Sequence, residues 1–250
     1  MRVLVLGGTS EASALATLIA ERGDIEAIMS FAGRTKAPAA PPIPLRSGGF
    51  GGADGLALYL EAERIDVVVD ATHPFAEQIS RNAKAAARRC DIPLVILSRP
   101  PWKRDAADRW IAVPDMASAA AALGRESRRV FLAIGRLQVA AFEAAPQHFY
   151  LIRSIEPVSP SLPRHRVIEA RGPFDAKAEE RLLRDEMIDV IVTKNSGSAA
   201  VFGKIIAARR LGLPVVMVER PSNGANAAHD PAKALDLILR HGARPAPRGV

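Results

Sequence analysis

Ile65-Asp-Val-Val-Val-Asp-Ala-Thr-His73 returns later in the chain as Ile188-Asp-Val-Ile-Val-Thr-Lys-Asn-Ser196. A second stretch, Ala86-Ala-Arg-Arg-Cys-Asp-Ile-Pro-Leu-Val-Ile-Leu-Ser-Arg-Pro100, returns as Ala207-Ala-Arg-Arg-Leu-Gly-Leu-Pro-Val-Val-Met-Val-Glu-Arg-Pro221, with eight of fifteen residues identical. The offsets, 123 and 121, differ by two, so the stretches repeat as one block. Each block reads as strand, polar turn, helix, strand. Two such βαβ blocks predict an α/β protein of two Rossmann-like domains, each a parallel sheet flanked by helices. The expected division is 1–100 for a dinucleotide-binding domain and 101–250 for a second domain that contributes to substrate binding.

Val67-Val68-Val69 and Val190-Ile191-Val192 are continuous apolar runs, as strands buried on both faces require. Ligands of open α/β sheets sit beyond the carboxyl ends of such strands. Asp70, Thr72 and His73 fall there in one copy, and Thr193, Lys194, Asn195 and Ser196 in the other. Pro74 suits a first helical position and keeps His73 extended. The expected site is therefore a cleft between the domains, with one polar turn from each.

Bulk properties narrow the class. The 250 residues are 48% hydrophobic and 24% charged, ordinary for a globular chain that can bury a sizeable core. No apolar run approaches a membrane span, and the start, Met1-Arg-Val-Leu-Val-Leu-Gly-Gly8, is too short for a signal peptide, so a cytoplasmic location is expected. Cys90 stands alone and the five histidines lack ligand spacing, which argues against disulfides and a metal. The net charge of +7 invites an anionic partner, but the arginines are scattered and aromatics are 5%, so nucleic acid is not the expected one. An Arg-rich proteome would produce the same excess. Oligomeric state is not written in these features.

Val3-Leu-Val-Leu6 is a short strand that runs into Gly7-Gly8-Thr9-Ser10-Glu11 and a helix with Ala12, Leu15, Ala16 and Ile19 on one face. A first strand–glycine turn–helix junction is where a dinucleotide pyrophosphate meets helix N–H groups, although the spacing is not Gly-x-Gly-x-x-Gly. The second strand, Ile25 to Met29, ends without the acid that would hold the ribose of NAD. Ser30, Arg34 and Lys36 could instead hold the 2′-phosphate of NADP. Ala37 to Pro44 is a stiff proline connector, and Arg46-Ser-Gly-Gly-Phe-Gly-Gly52 is a glycine-dense loop, either a second wall of the cofactor site or a plain turn.

In the second half, strands are expected at 111–113, 130–134, 149–154 and 167–171, with helices over 116–123, up to Met187, and over about 230–240. Gly242 to Val250 reads as a basic tail. Arg136, Arg153 and Arg171 stand at or near strand ends, where they could pair with carboxylates.

Taken together, several stretches resemble the precorrin-6A reductase family of cobalamin biosynthesis. They are Gly7-Gly-Thr-Ser-Glu11, Asp70-Ala-Thr-His-Pro-Phe-Ala76, Arg99-Pro-x-Trp102, Gly135-Arg136, Arg171-Gly-Pro-Phe174, Lys194-Asn-Ser-Gly197 and the run from Arg209 to Pro221. The resemblance spans essentially the whole chain. It implies an NADPH-dependent reduction of one double bond in a corrin precursor, precorrin-6A, to precorrin-6B. The macrocycle's acetate and propionate groups would be the polyanion. Gly7, Gly8, Thr9, Ser10, Glu11, Ser30, Arg34 and Thr72 are then expected at the cofactor, and Arg136, Arg153, Arg171, Asn195 and Ser196 at the substrate. His73 or Lys194 could deliver a proton, as could water, and catalysis by positioning alone is an equal alternative. Other readings are an NADP-dependent reductase of another acidic substrate, or a tetrapyrrole- or nucleotide-binding protein without turnover.

Overall fold

The structure, a computed structural model, describes residues 1–32, 40–221 and 227–242. Arg34, Lys36, the first three residues of the proline connector and the tail beyond Gly242 lie outside the described residues. The chain divides into two compact units, Met1–Pro100 with Pro221–Val250, and Pro101–Arg220.

The first unit is built on β1 (Arg2–Leu6), α1 (Ser10–Ala20), β2 (Glu26–Phe31), β3 (Leu45–Ser47), α2 (Gly52–Ala62), β4 (Val67–Asp70), α3 (Glu77–Arg89) and β5 (Leu94–Ile96). All pairings are parallel, in the order β3-β2-β1-β4-β5. Alternation along β1 shows why the strand is apolar throughout. Val3 and Val5 pack with Leu15 and Ile19 on one face, while Leu4 and Leu6 pack with Leu56 and Leu60 on the other. Residues 45–47, expected within a loop, form an edge strand instead. Their signal is weak because three residues between Pro44 and two glycines are too short for a period to show.

The second unit contains β6 (Arg109–Val113), α4 (Met116–Ala121), β7 (Arg129–Ala133), β8 (Phe149–Ser154), β9 (His165–Glu169), α5 (Ala176–Asp185), β10 (Val190–Lys194), α6 (Gly203–Leu211) and β11 (Pro214–Val218), with 3-10 helices at Arg136–Ala144 and Ala199–Val201. Its sheet is again parallel, in the order β6-β11-β10-β7-β8-β9. From the other edge this is the first sheet repeated: β9, β8, β7, β10 and β11 occupy the places of β3, β2, β1, β4 and β5. The sequence repeat is thus a repeat of topology.

The last helix, α7 (Pro231–Gly242), corrects the expected domain boundary. Ala234 and Ile238 are fully buried in the first unit's core beside Val3, Ala12 and Ile19. Ala228 bridges Leu97 in parallel, extending the edge at β5. The chain after Arg220 therefore belongs to the first unit, because α7 supplies the apolar stripe that one face of that sheet needs.

Candidate active site

In each sheet the chain leaves the central strand in opposite directions, and this reversal marks the ligand crevice in open α/β folds. In the first unit it lies at the tips of β1 and β4. Gly7 is there because a Cβ would stand 2.3 Å from Met29 Sδ, and Gly8 because its φ is +116° with open space around it. Thr9 caps α1: its hydroxyl accepts from the Ala12 amide at 3.1 Å and donates to Ala71 O at 2.7 Å, fastening the turn to the β4 tip. The side chain of Thr9 is thus structural. The α1 amides of Ser10 and Glu11 have no intrahelical acceptor, as at any helix start. An exposed glycine with positive φ, an uncrowded turn and those amides fit a pyrophosphate.

Glu11, expected at the cofactor, is paired with Arg99 at 3.1 Å, and Arg99 also donates to the Ser10 hydroxyl at 3.3 Å. A carboxylate at this helix start suits the helix dipole but would repel a diphosphate. Arg99 offsets it. Thr72 is buried, and its hydroxyl donates to Asp70 Oδ1 at 2.6 Å, so its first commitment is to the β4 tip. His73 Nδ1 accepts from the Phe75 amide at 3.2 Å, which places the proton of a neutral ring on Nε2. Pro74 is not at the first helical position as expected. It lies in a turn closed by Ala76 N–H to His73 O, and α3 begins three residues later.

Ser30, next to last in β2, is a buried hydroxyl, and its partner across the sheet is Arg46. Arg46 donates to Ser30 Oγ at 3.3 Å. Arg34, the expected phosphate ligand, lies outside the described residues.

In the second unit the corresponding tips are those of β7 and β10. Lys194 reaches over Gly135, and its ammonium donates to Gln138 Oε1 at 2.9 Å. Burial lowers its pKa to about 8. The expected roles of its neighbours change. Asn195 uses both ends of its amide on one backbone residue: Oδ1 accepts from Trp102 N–H at 2.7 Å and Nδ2 donates to Trp102 O at 3.2 Å. The buried Ser196 hydroxyl accepts from the Ser198 amide at 3.4 Å. Both shape the turn that presents Lys194.

The three arginines expected at the substrate part ways. Arg153 is 8% exposed and makes a two-toothed pair with Glu179 of α5, at 2.7 and 3.0 Å, over the rings of Phe131 and Phe174. It is corrected to a structural residue, since its charge is already matched in the interior. Arg136 and Arg171 are exposed, and neither has an ion-pair partner among the described residues. The loop carrying Arg171 is held to the start of α6. Phe174 N–H donates to Ala200 O at 2.9 Å, and a Cβ on Gly203 would meet Phe174 O at 2.5 Å.

Comparison with known proteins bears on this arrangement directly. The family model described as "Precorrin-6x reductase CbiJ/CobK" matches residues 2–239. The chain belongs to the precorrin-6x reductase family. The precorrin-6A reductase of Rhodobacter capsulatus is 49% identical over 255 residues, covering 100% of this chain and 99% of that protein. The precorrin-6A reductase of a Sinorhizobium species is 53% identical over 221 residues, covering 88% and 85%. A solved structure titled "CobK precorrin-6A reductase" superposes with a TM-score of 0.89 at 48% identity over the whole of both chains.

As a precorrin-6x reductase, the chain is an oxidoreductase whose two parallel sheets match that solved fold. No helix among the described residues is long and apolar enough to cross a membrane, and no group of metal-binding side chains occurs among them. Sequence reasoning missed Gln138 and Arg46. Gln138 is the third residue of a 3-10 helix and carries no motif. Arg46 had a signal in its place just before the glycine loop, since backbone without side chains leaves room for a ligand.

Proposed function

We propose that this chain reduces one double bond of precorrin-6A, giving precorrin-6B in cobalamin biosynthesis, with NADPH as donor. The observation that carries the cofactor reading is the β1–α1 junction: Gly7 and Gly8, then α1 amides without an intrahelical acceptor, at the reversal point of a parallel sheet whose β2 ends without a carboxylate. The family and the relatives' names support the substrate. When bound, the reduced nicotinamide supplies hydride to an electrophilic carbon of the conjugated macrocycle.

The chain's own residues bind, orient and move a proton. The α1 amides and Arg99 take the diphosphate, and the β2 tip at Ser30 meets the 2′-phosphate end. Arg136 and Arg171, exposed and unpaired, take macrocycle carboxylates as charge-assisted partners. Lys194 or His73 stands as proton donor at Nζ or Nε2, with water as the alternative. Most of the rate then comes from positioning. The test is NADPH absorbance on addition of precorrin-6A. Decay with formation of a product two hydrogens heavier is expected. Saturable binding of both ligands without decay would mean a carrier, and equal turnover with NADH would remove the NADP reading.

A further inference from the structure

We infer that Arg46 holds the adenosine 2′-phosphate end of the cofactor and sets the preference for NADPH over NADH; this rests on the reading of the first unit as the NADPH-binding one. Ser30 and Arg46 are register partners at the carboxyl tips of β2 and β3. In dinucleotide folds the residue at the β2 tip meets the adenosine ribose, and a nearby arginine accommodates a 2′-phosphate.

Arg46 is held as a preformed binding group. One terminal nitrogen donates to Ser30 Oγ at 3.3 Å and to Gly48 O at 2.7 Å, and the other donates to Gly49 O at 2.9 Å. The guanidinium carbon lies 3.8 Å from the centroid of Phe50 and 5.2 Å from that of Tyr59. Three hydrogen bonds and two rings thus fix a planar cation in one orientation, so little side-chain entropy remains to be lost on binding.

All three acceptors are neutral. Among the described residues Arg46 has no carboxylate partner, nor has the half-buried Arg128, whereas Arg2, Arg99, Arg129, Arg153 and Arg209 each have one. A fixed, partly buried cation without a counter-charge is poised for an anion. The surrounding backbone leaves room for it: Gly48, Gly51 and Gly52 have φ of +113°, +80° and +94°, and a Cβ on any of them, or on Gly49, would enter open space. The Ser30 hydroxyl adds a second donor to a phosphate oxygen. A planar guanidinium backed by Phe50 also offers a face on which adenine can stack.

The experiment measures Kd for NADPH, NADH and adenosine 2′,5′-bisphosphate with wild type, Arg46→Ala, Arg46→Lys and Arg34→Ala, with melting temperature recorded for each. Arg46→Ala is expected to weaken NADPH and the bisphosphate by roughly 10- to 100-fold, the range for losing one charge-assisted phosphate partner, and to leave NADH within about twofold. Arg46→Lys keeps the charge without the fork and is expected to recover part of the loss. Should Arg46→Ala lower the melting temperature, Arg46→Lys still reports, because a selective loss there comes from geometry at the phosphate. If Arg46→Ala weakens NADPH and NADH alike, Arg46 is a brace for the glycine loop and the inference is overturned. Retention of full NADPH selectivity in Arg46→Ala, with its loss in Arg34→Ala, also overturns it while leaving the NADPH reading intact. A wild type that binds NADPH and NADH equally overturns both.

Discussion

Arg153 and Glu179 meet inside the second unit as a two-toothed ion pair, with side chains 8% and 4% exposed. A third charge shares the region. Lys204 of α6 is 3% exposed, donates to Val201 O at 2.6 Å and lies 5.0 Å from the Trp102 ring. Burial disfavours its ammonium most, Glu179 favours it, and Arg153 opposes it. The Arg153–Glu179 pair and the titratable amine of Lys204 are therefore buried in the same unit.

Breaking the pair is expected to cost stability before it costs affinity. Arg153→Ala strands Glu179, and removal of one partner from a buried pair typically costs about 3–5 kcal/mol. Urea denaturation should show a lowered midpoint at unchanged slope, while KM for the macrocycle in the protein that remains folded stays near wild type. A large rise in KM with normal stability would return Arg153 to the substrate.

Lys204 makes a prediction about pH. Burial lowers its pKa in the folded protein to about 7, from 10.5 for the unconstrained side chain. Between those values the unfolded chain holds a proton that the folded chain lacks, so stability rises with pH across that window. Comparing wild type with Lys204→Met isolates the effect and cancels groups such as Cys90 and Tyr150, whose pKa values burial raises. From about pH 7 to 9 the wild type should gain on the order of 2 kcal/mol relative to the variant. Parallel curves would place Lys204 in contact with water.

The repeat made both sheets legible, because strand, polar turn, helix and strand recur with nearly constant offset. Other features were hidden for physical reasons. The apolar stripe of α7 says that it covers a sheet, but two similar sheets need covering and only packing chooses. Arg153 and Arg171 looked alike as arginines near strand ends. Arg153 lies within β8 and Arg171 lies two residues past β9, and that offset separates a guanidinium buried beside Phe131 from one in solvent. A clue to the first was available: Glu179 and Leu183, one helical turn apart, share the buried face of α5, and an acid in an apolar stripe calls for a buried cation.

Arg136 and Arg171 are where a substrate effect is expected. Each is exposed, so single alanine variants should raise KM for precorrin-6A by up to roughly fivefold, the range for a pair at a solvent-accessible rim. Kd for NADPH should not change. The increase should shrink in high salt, since exposed pairs are screened. Normal KM in the double variant would leave the carboxylates to other residues.

Arg99 is expected to behave differently from Arg46. It neutralises Glu11 at the start of α1, and a diphosphate is common to both dinucleotides. Arg99→Ala should weaken NADPH and NADH by the same factor, whereas Glu11→Gln should strengthen both modestly by removing the repulsive charge. A loss confined to NADPH would move Arg99 to the 2′-phosphate.

The proton step can be assigned by its pH profile. Lys194 has a pKa lowered to about 8 by burial, and its ammonium donates to Gln138 Oε1. As the acid, it must be protonated, so kcat should be level below that value and fall as pH rises through it. Gln138→Leu removes an acceptor that favours the ammonium and should move the fall to lower pH. Lys194→Met should lower kcat by about 100-fold or more and abolish the limb, since a general acid contributes at least that much. His73 is held by the Phe75 amide on Nδ1, so protonating that nitrogen would break a hydrogen bond of its own turn. As a positioning residue it should, when replaced by alanine, lower kcat at every pH and leave the limb in place. If instead the limb survives in Lys194→Met and disappears in His73→Ala, the two roles are exchanged. If it survives in both, the proton comes from water.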